Sequence, residues 1–62
     1  MKMIKIREYR KMNGYRQEDL AKLLGIKQNT YSSKENGKRK FTVDEIIKLK
    51  EIFKVTCDDL LN

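Results

Sequence analysis

The stretch QEDLAKLLGI, residues 17–26, runs straight into KQNTYSSKENGK, residues 27–38, and the two together decide the fold. Leu20 and Leu24 stand four apart with the small Ala21 beside them, so about 17–24 reads as a helix whose apolar face lets a neighbouring backbone come close. Gly25 stops it. A second helix, roughly 28–35, begins only a few residues later and is closed by Asn36-Gly37. This second helix has one apolar side chain, Tyr31, ringed by amides, hydroxyls and lysines. Gln28, Asn29, Ser32 and Ser33 fall on one of its faces by i,i+4 spacing, and Tyr31 on the other side anchors it to the core. The polar face fits an ordinary solvated surface. It also fits base-edge recognition, because an amide donates and accepts together, as the N6/N7 edge of adenine requires, and short hydroxyls suit either base type.

Outward from this pair the apolar periodicity is helical nearly throughout, so the domain is all-α. A helix from about Lys2 to Met12 turns Ile6, Tyr9 and Met3 inward and stops at Asn13-Gly14, after which Tyr15 returns to the core. Thr42-Val43-Asp44-Glu45 is a capping box with Thr42 as N-cap and Glu45 at N3, and Phe41 is placed to staple to Ile46. The helix it opens presents Val43, Ile46, Ile47, Phe53 and one or both of Leu49 and Ile52 inward. Thr56-Cys57-Asp58-Asp59 starts a short fifth helix, with Val55 placed to staple to Leu60. Met1, Met3 and Met12 read as core filler or chain terminus.

Sixty-two residues make one domain, 1–62, of modest stability. One cysteine, no histidine and no proline exclude a disulfide framework and leave a zinc site without ligands, so no metal and no cofactor are expected. A reducing cytoplasm fits, and the N-terminal MKMIKIREYRK has no continuous apolar run for a signal peptide or membrane span. The net charge of +6 is uneven: residues 1–40 hold 12 Lys/Arg against 4 Asp/Glu, whereas 41–62 hold 3 against 5. A basic half is the footprint of nucleic-acid binding or a solubilising surface. No enzyme is expected, since there is no histidine, no phosphate-cradling glycine loop and no carboxylate pair in a plausible cleft. Cys57, a lone thiol without a base, reads as structural.

Ile6, Arg10, Gly14, QEDLAKLLGI at 17–26, ENGK at 35–38 and VTCDDLL at 55–61 stand at mutual spacings that together carry a strong signal. In these the sequence resembles the Cro/repressor-type helix-turn-helix proteins of phages and bacteria, the Xre family. The resemblance implies a five-helix, lambda-repressor-like DNA-binding domain with helices 2 and 3 as the helix-turn-helix and helix 3 in the major groove. It makes Gln28, Asn29, Ser32 and Ser33 the base readers. Gln17 would hold a phosphate and brace Gln28, while Asn36, Lys38, Arg39 and Lys40 would line the backbone after helix 3. Arg10 and Glu35 correspond to a partly buried ion pair joining helix 1 to the end of helix 3, with a surface pair as the alternative.

Some residues depart from the family's pattern. Lys34 stands where many members have a bulky apolar residue and Lys50 where alanine is frequent, so their stems are expected to pack while the ammonium groups snorkel out. Lys54 replaces a glycine stop, implying a left-handed residue or an altered turn. Arg16 and Lys27 stand where Ser or Thr caps are usual. Each forgoes a cap and opposes the helix dipole, an arrangement that a nearby DNA phosphate would reverse, so both are assigned to phosphate contacts. The implied function is a transcriptional regulator, by resemblance a repressor, that binds a pseudo-palindromic double-stranded operator as a homodimer. Its expected interface is the acidic segment 55–62, with Leu60 and Leu61, together with the 41–44 corner; the alternative is that these leucines close the core. A rival function is an antitoxin-like or phage accessory protein whose main partner is another protein. RNA is disfavoured because no aromatic residue accompanies the polar readers.

Overall fold

The computed structural model describes residues 5–61, and of these the side chains of all but Cys57 and Leu61. Five helices follow in order: α1 Ile6–Met12, α2 Gln17–Leu24, α3 Gln28–Glu35, α4 Val43–Phe53 and α5 Cys57–Leu61. The described residues are thus all-α. Helix 1, expected from about Lys2, begins at Ile6 with Lys5 as its N-cap, while the expected burial of Met3 lies outside the described residues. Ile6, Leu20, Ala21, Leu24, Tyr31, Leu49, Phe53 and Leu60 form the core, with Tyr9, Tyr15, Phe41 and Ile46 packed around it. Phe53 is its aromatic centre, stacking on Tyr9 with centroids 5.9 Å apart and meeting Tyr15 at 6.5 Å.

Local signals set the helix ends. Gly25 adopts φ 73°, and the Ile26 N–H reaches back to the Ala21 carbonyl at 2.9 Å, a six-to-one closure that needs a left-handed residue. Thr42 accepts from the Glu45 N–H at 3.1 Å while Glu45 accepts from the Thr42 N–H at 2.9 Å. Thr56 and Asp59 repeat this box at the start of α5, and backbone and side-chain hydrogen bonds from Thr56 lower the Asp59 pKa. After α4 the chain turns through Lys54 in the left-handed region, φ 58° and ψ 47°. A side chain there costs roughly 1–2 kcal/mol that glycine would avoid.

Three expectations need correction, and for Leu60 the structure decides between the two readings left open. Val43 and Ile47 are 76% and 42% exposed. They share one α4 face by i,i+4 spacing, whereas Glu45, Leu49 and Phe53, also four apart, are the buried side. Met12 is exposed at the end of α1, so it does not fill the core. Lys34 does not snorkel to water: its Nζ donates to both oxygens of Glu45 at 2.7 and 2.8 Å, and both side chains are about nine-tenths buried. Leu60 is fully buried, so it belongs to the core and is unavailable to an interface; nothing is described of the Leu61 side chain.

Candidate nucleic-acid interface

α2 and α3 are joined by Gly25, Ile26 and Lys27, a turn short enough to hold the two helices in fixed relation. α3 is held from its inner side. The Tyr31 ring is fully buried, meets Phe41 edge-on at 5.9 Å and donates its hydroxyl to Glu35 Oε2 at 2.6 Å. With that side fixed, Gln28 and Asn29 are exposed, while Ser32 and Ser33 are half-buried on the following turn. Lys38, Arg39 and Lys40 are exposed just past Gly37. The Lys38 and Arg39 N–H groups both return to the Ser33 carbonyl, which ties this basic run to the end of α3.

Glu35 is where the surrounding elements meet. Its side chain is 1% exposed, and Arg10 grips it in fork geometry, with Nε to Oε2 at 2.8 Å and Nη2 to Oε1 at 3.2 Å. The third arm of Arg10 donates to the Tyr15 carbonyl at 3.0 Å. Gln17 Nε2 donates to Glu35 Oε1 at 3.1 Å, so the start of α2 is braced on Glu35 and not on Gln28. Arg7 also reaches this carboxylate, with Nε 3.4 Å from Oε1, and its Nη2 donates to Asn36 Oδ1. Burial opposes the charged form of Glu35, but hydrogen bonds from Arg10, Tyr31 and Gln17 outweigh it and hold the carboxyl at about 2. The same environment pushes the Tyr31 hydroxyl up, by burial first and then by its bond to Glu35, so that it stays a donor. The Arg10 pKa is raised by its hydrogen bond to Glu35.

Arg16 and Lys27 occupy the N-cap positions of α2 and α3, both in extended backbone, and neither side chain caps its helix. A guanidinium or ammonium has only donors to offer. Their surroundings differ, however. At α2 the Asp19 carboxylate accepts from the Arg16 N–H at 2.8 Å and, with Glu18, adds negative charge to the first turn. α3 has no acidic residue in its first turn. Sequence reasoning missed two parts of this region, Arg7 and the Lys34–Glu45 pair. A usable signal for the first was the i,i+3 spacing of Arg7 and Arg10, which places both on one side of α1.

A family model for helix-turn-helix domains matches residues 6–60. The chain belongs to the helix-turn-helix family. This is a family of DNA-binding regulators of transcription. The helix-turn-helix chain is 34% identical over 61 residues to the HTH-type transcriptional regulator AnsR of Bacillus subtilis, covering 98% of this chain and 53% of that one. It thus spans about half the length of that relative. Among solved structures, the restriction-modification controller protein C.AhdI of Aeromonas hydrophila superposes with a TM-score of 0.77 at 30% identity, over 90% of this chain and 85% of that one. A protein of Bacteroides fragilis matches over the whole of both chains with a TM-score of 0.87 at 24% identity, a likeness of fold. No helix among the described residues is long and apolar enough to cross a membrane.

Proposed function

We propose that this helix-turn-helix domain reads a pseudo-palindromic operator as a symmetric pair, with α3 in the major groove, and acts as a repressor. The observation that carries this reading is the two-sidedness of α3: Tyr31 and Glu35 fix its inner side while Gln28 and Asn29 stand free on its outer side. Ser32 and Ser33 are the closer-range readers. Gln17, Asn36, Lys38, Arg39 and Lys40, with Arg16 and Lys27, hold the phosphates and set the register. Binding-site selection with the native chain, Gln28→Ala and Asn29→Ala tests the assignment. Each substitution is expected to lose roughly 1–3 kcal/mol of discrimination at one base pair per half-site, most readily an A·T pair, with non-specific affinity unchanged. Contacted positions insensitive to both would refute it.

Arg16→Ser and Lys27→Ser are expected to raise thermal stability while weakening binding to every duplex. The gain should be larger at position 27, about 1–2 kcal/mol, because a missing cap and an opposed dipole there have no acidic neighbour to offset them. At position 16 Asp19 accepts from the Arg16 N–H and, with Glu18, sets negative charge in the first turn, which offsets part of the cost. Each change should lower the slope of log affinity against log salt by about one per subunit. Melts and salt titrations decide; unchanged slopes in both leave these charges without a phosphate.

Pairing places two recognition helices about 34 Å apart. With Leu60 committed to the core, the exposed Val43 and Ile47 on α4 are the apolar face open to a second copy. This face includes the 41–44 corner and belongs to the net-negative part of the chain, which spares the pair the mutual repulsion of two basic halves. Sedimentation on half-site and full-site duplexes should show one and two subunits, and Ile47→Glu should abolish the second. A single subunit on the full site would rule out paired binding.

A further inference from the structure

The Arg7 guanidinium is restrained but not used up. Arg10, 12% exposed, is enclosed between the Glu35 carboxylate and the Tyr15 carbonyl. Arg7, one turn earlier on α1, is 48% exposed and has two of its five N–H groups engaged, by Glu35 Oε1 and by Asn36 Oδ1. Among the described residues Glu35 is the one carboxylate that both arginines touch, so a positive charge is left over where Arg7 meets solvent. Two attachment points remove much of the rotamer freedom an exposed arginine would otherwise lose on binding, and the remaining donors keep the planar fork suited to a phosphodiester. Its neighbours point the same way. Gln17 shares Glu35 Oε1 with Arg7, and Asn36, whose Oδ1 is occupied by Arg7, offers its amide N–H groups elsewhere, with a long contact of 3.5 Å to Ser32 Oγ.

We propose that Arg7 is a DNA backbone contact: Glu35 and Asn36 hold its guanidinium so that one phosphate bridges Arg7 and the exposed side of Asn36. The charge on α1 then extends the phosphate track that begins with the basic run after α3. This assignment rests on the reading of the domain as a DNA binder.

The test uses the full chain, a selected operator duplex and an unrelated duplex, with the native protein, Arg7→Gln and Arg7→Lys. Arg7→Gln removes the charge but retains a donor for Asn36, and its melting temperature should stay within a few degrees of native because Arg7 is half exposed and Arg10, Gln17 and Tyr31 still serve Glu35. Its affinity should fall on both duplexes alike, with the salt slope lowered by about 0.9 per subunit. The native advantage per subunit should therefore shrink about 3.5-fold between 0.05 and 0.2 M salt. Arg7→Lys should keep the native slope with reduced affinity, since an ammonium cannot hold Asn36 and Glu35 and still present a fork. A purely structural Arg7 would move the melt and leave the slope alone. A native slope in Arg7→Gln overturns the assignment while DNA binding stands; a native protein that binds neither duplex overturns both.

Discussion

Glu35→Ala is expected to cost about 3–5 kcal/mol, the penalty for leaving a buried partner charge uncompensated. For 62 residues, total stability at roughly 0.05–0.15 kcal/mol per residue is of similar size, so the variant should be largely unfolded near physiological temperature. The loss is concentrated at this residue because its two oxygens serve Arg10, Arg7, Gln17 and Tyr31 together. Arg10→Met should cost less, since Arg7, Tyr31 and Gln17 still reach the carboxylate. Acid should reproduce the loss in the native chain. The Glu35 pKa falls from an ordinary 4.5 to about 2, so the unfolded chain binds the extra proton in that window. At about 1.4 kcal/mol per unit, Glu35 contributes about 3 kcal/mol that is present above pH 4.5 and is lost as pH falls through about 2. Glu45 is lowered as well, its burial outweighed by hydrogen bonds from Lys34 and Thr42, and adds to the loss in the same direction. Urea titrations from pH 6 to pH 2 measure this; a flat stability profile over that range would contradict the network.

The second large effect belongs to the pair joining α3 to α4. Lys34→Met should destabilise by about 2–3 kcal/mol, somewhat less than for a wholly buried pair, because a tenth of the Glu45 side chain stays exposed. The variant strands a carboxylate in the interior. Adding Glu45→Gln should recover most of the loss: the amide removes the unpaired charge yet still accepts from the Thr42 N–H, so the capping box survives. The contrast between single and double variants in urea distinguishes this account from lost packing. If Lys34→Met is neutral by itself, the pair is not buried in any energetic sense.

Much of the helix-turn-helix was legible because its signals lie within a turn of the structure they specify. Gly25 permits the left-handed stop that separates α2 from α3, and Thr42 with Glu45 closes a box across four residues. The same locality made the polar outer face of α3 visible from spacing alone. α4 was harder: its apolar residues at 43, 46, 47, 49, 52 and 53 cover most of the helix circumference, so periodicity could not choose the inner side.

The sequence by itself determined where helix 1 stops, where the helices after it begin, which pair forms the helix-turn-helix, and that one half of the chain carries the positive charge. Helix ends depend on neighbours three or four residues apart, which a linear reading contains. Tertiary structure decided which polar groups go inside. Lys34 and Glu45 are 11 residues apart and Arg7 and Glu35 are 28 apart. Whether such groups meet depends on how α1, α3 and α4 pack. Once Lys34 neutralises Glu45, that carboxylate can take a place on the buried side of α4, and Val43 and Ile47, on the opposite face, are left at the surface.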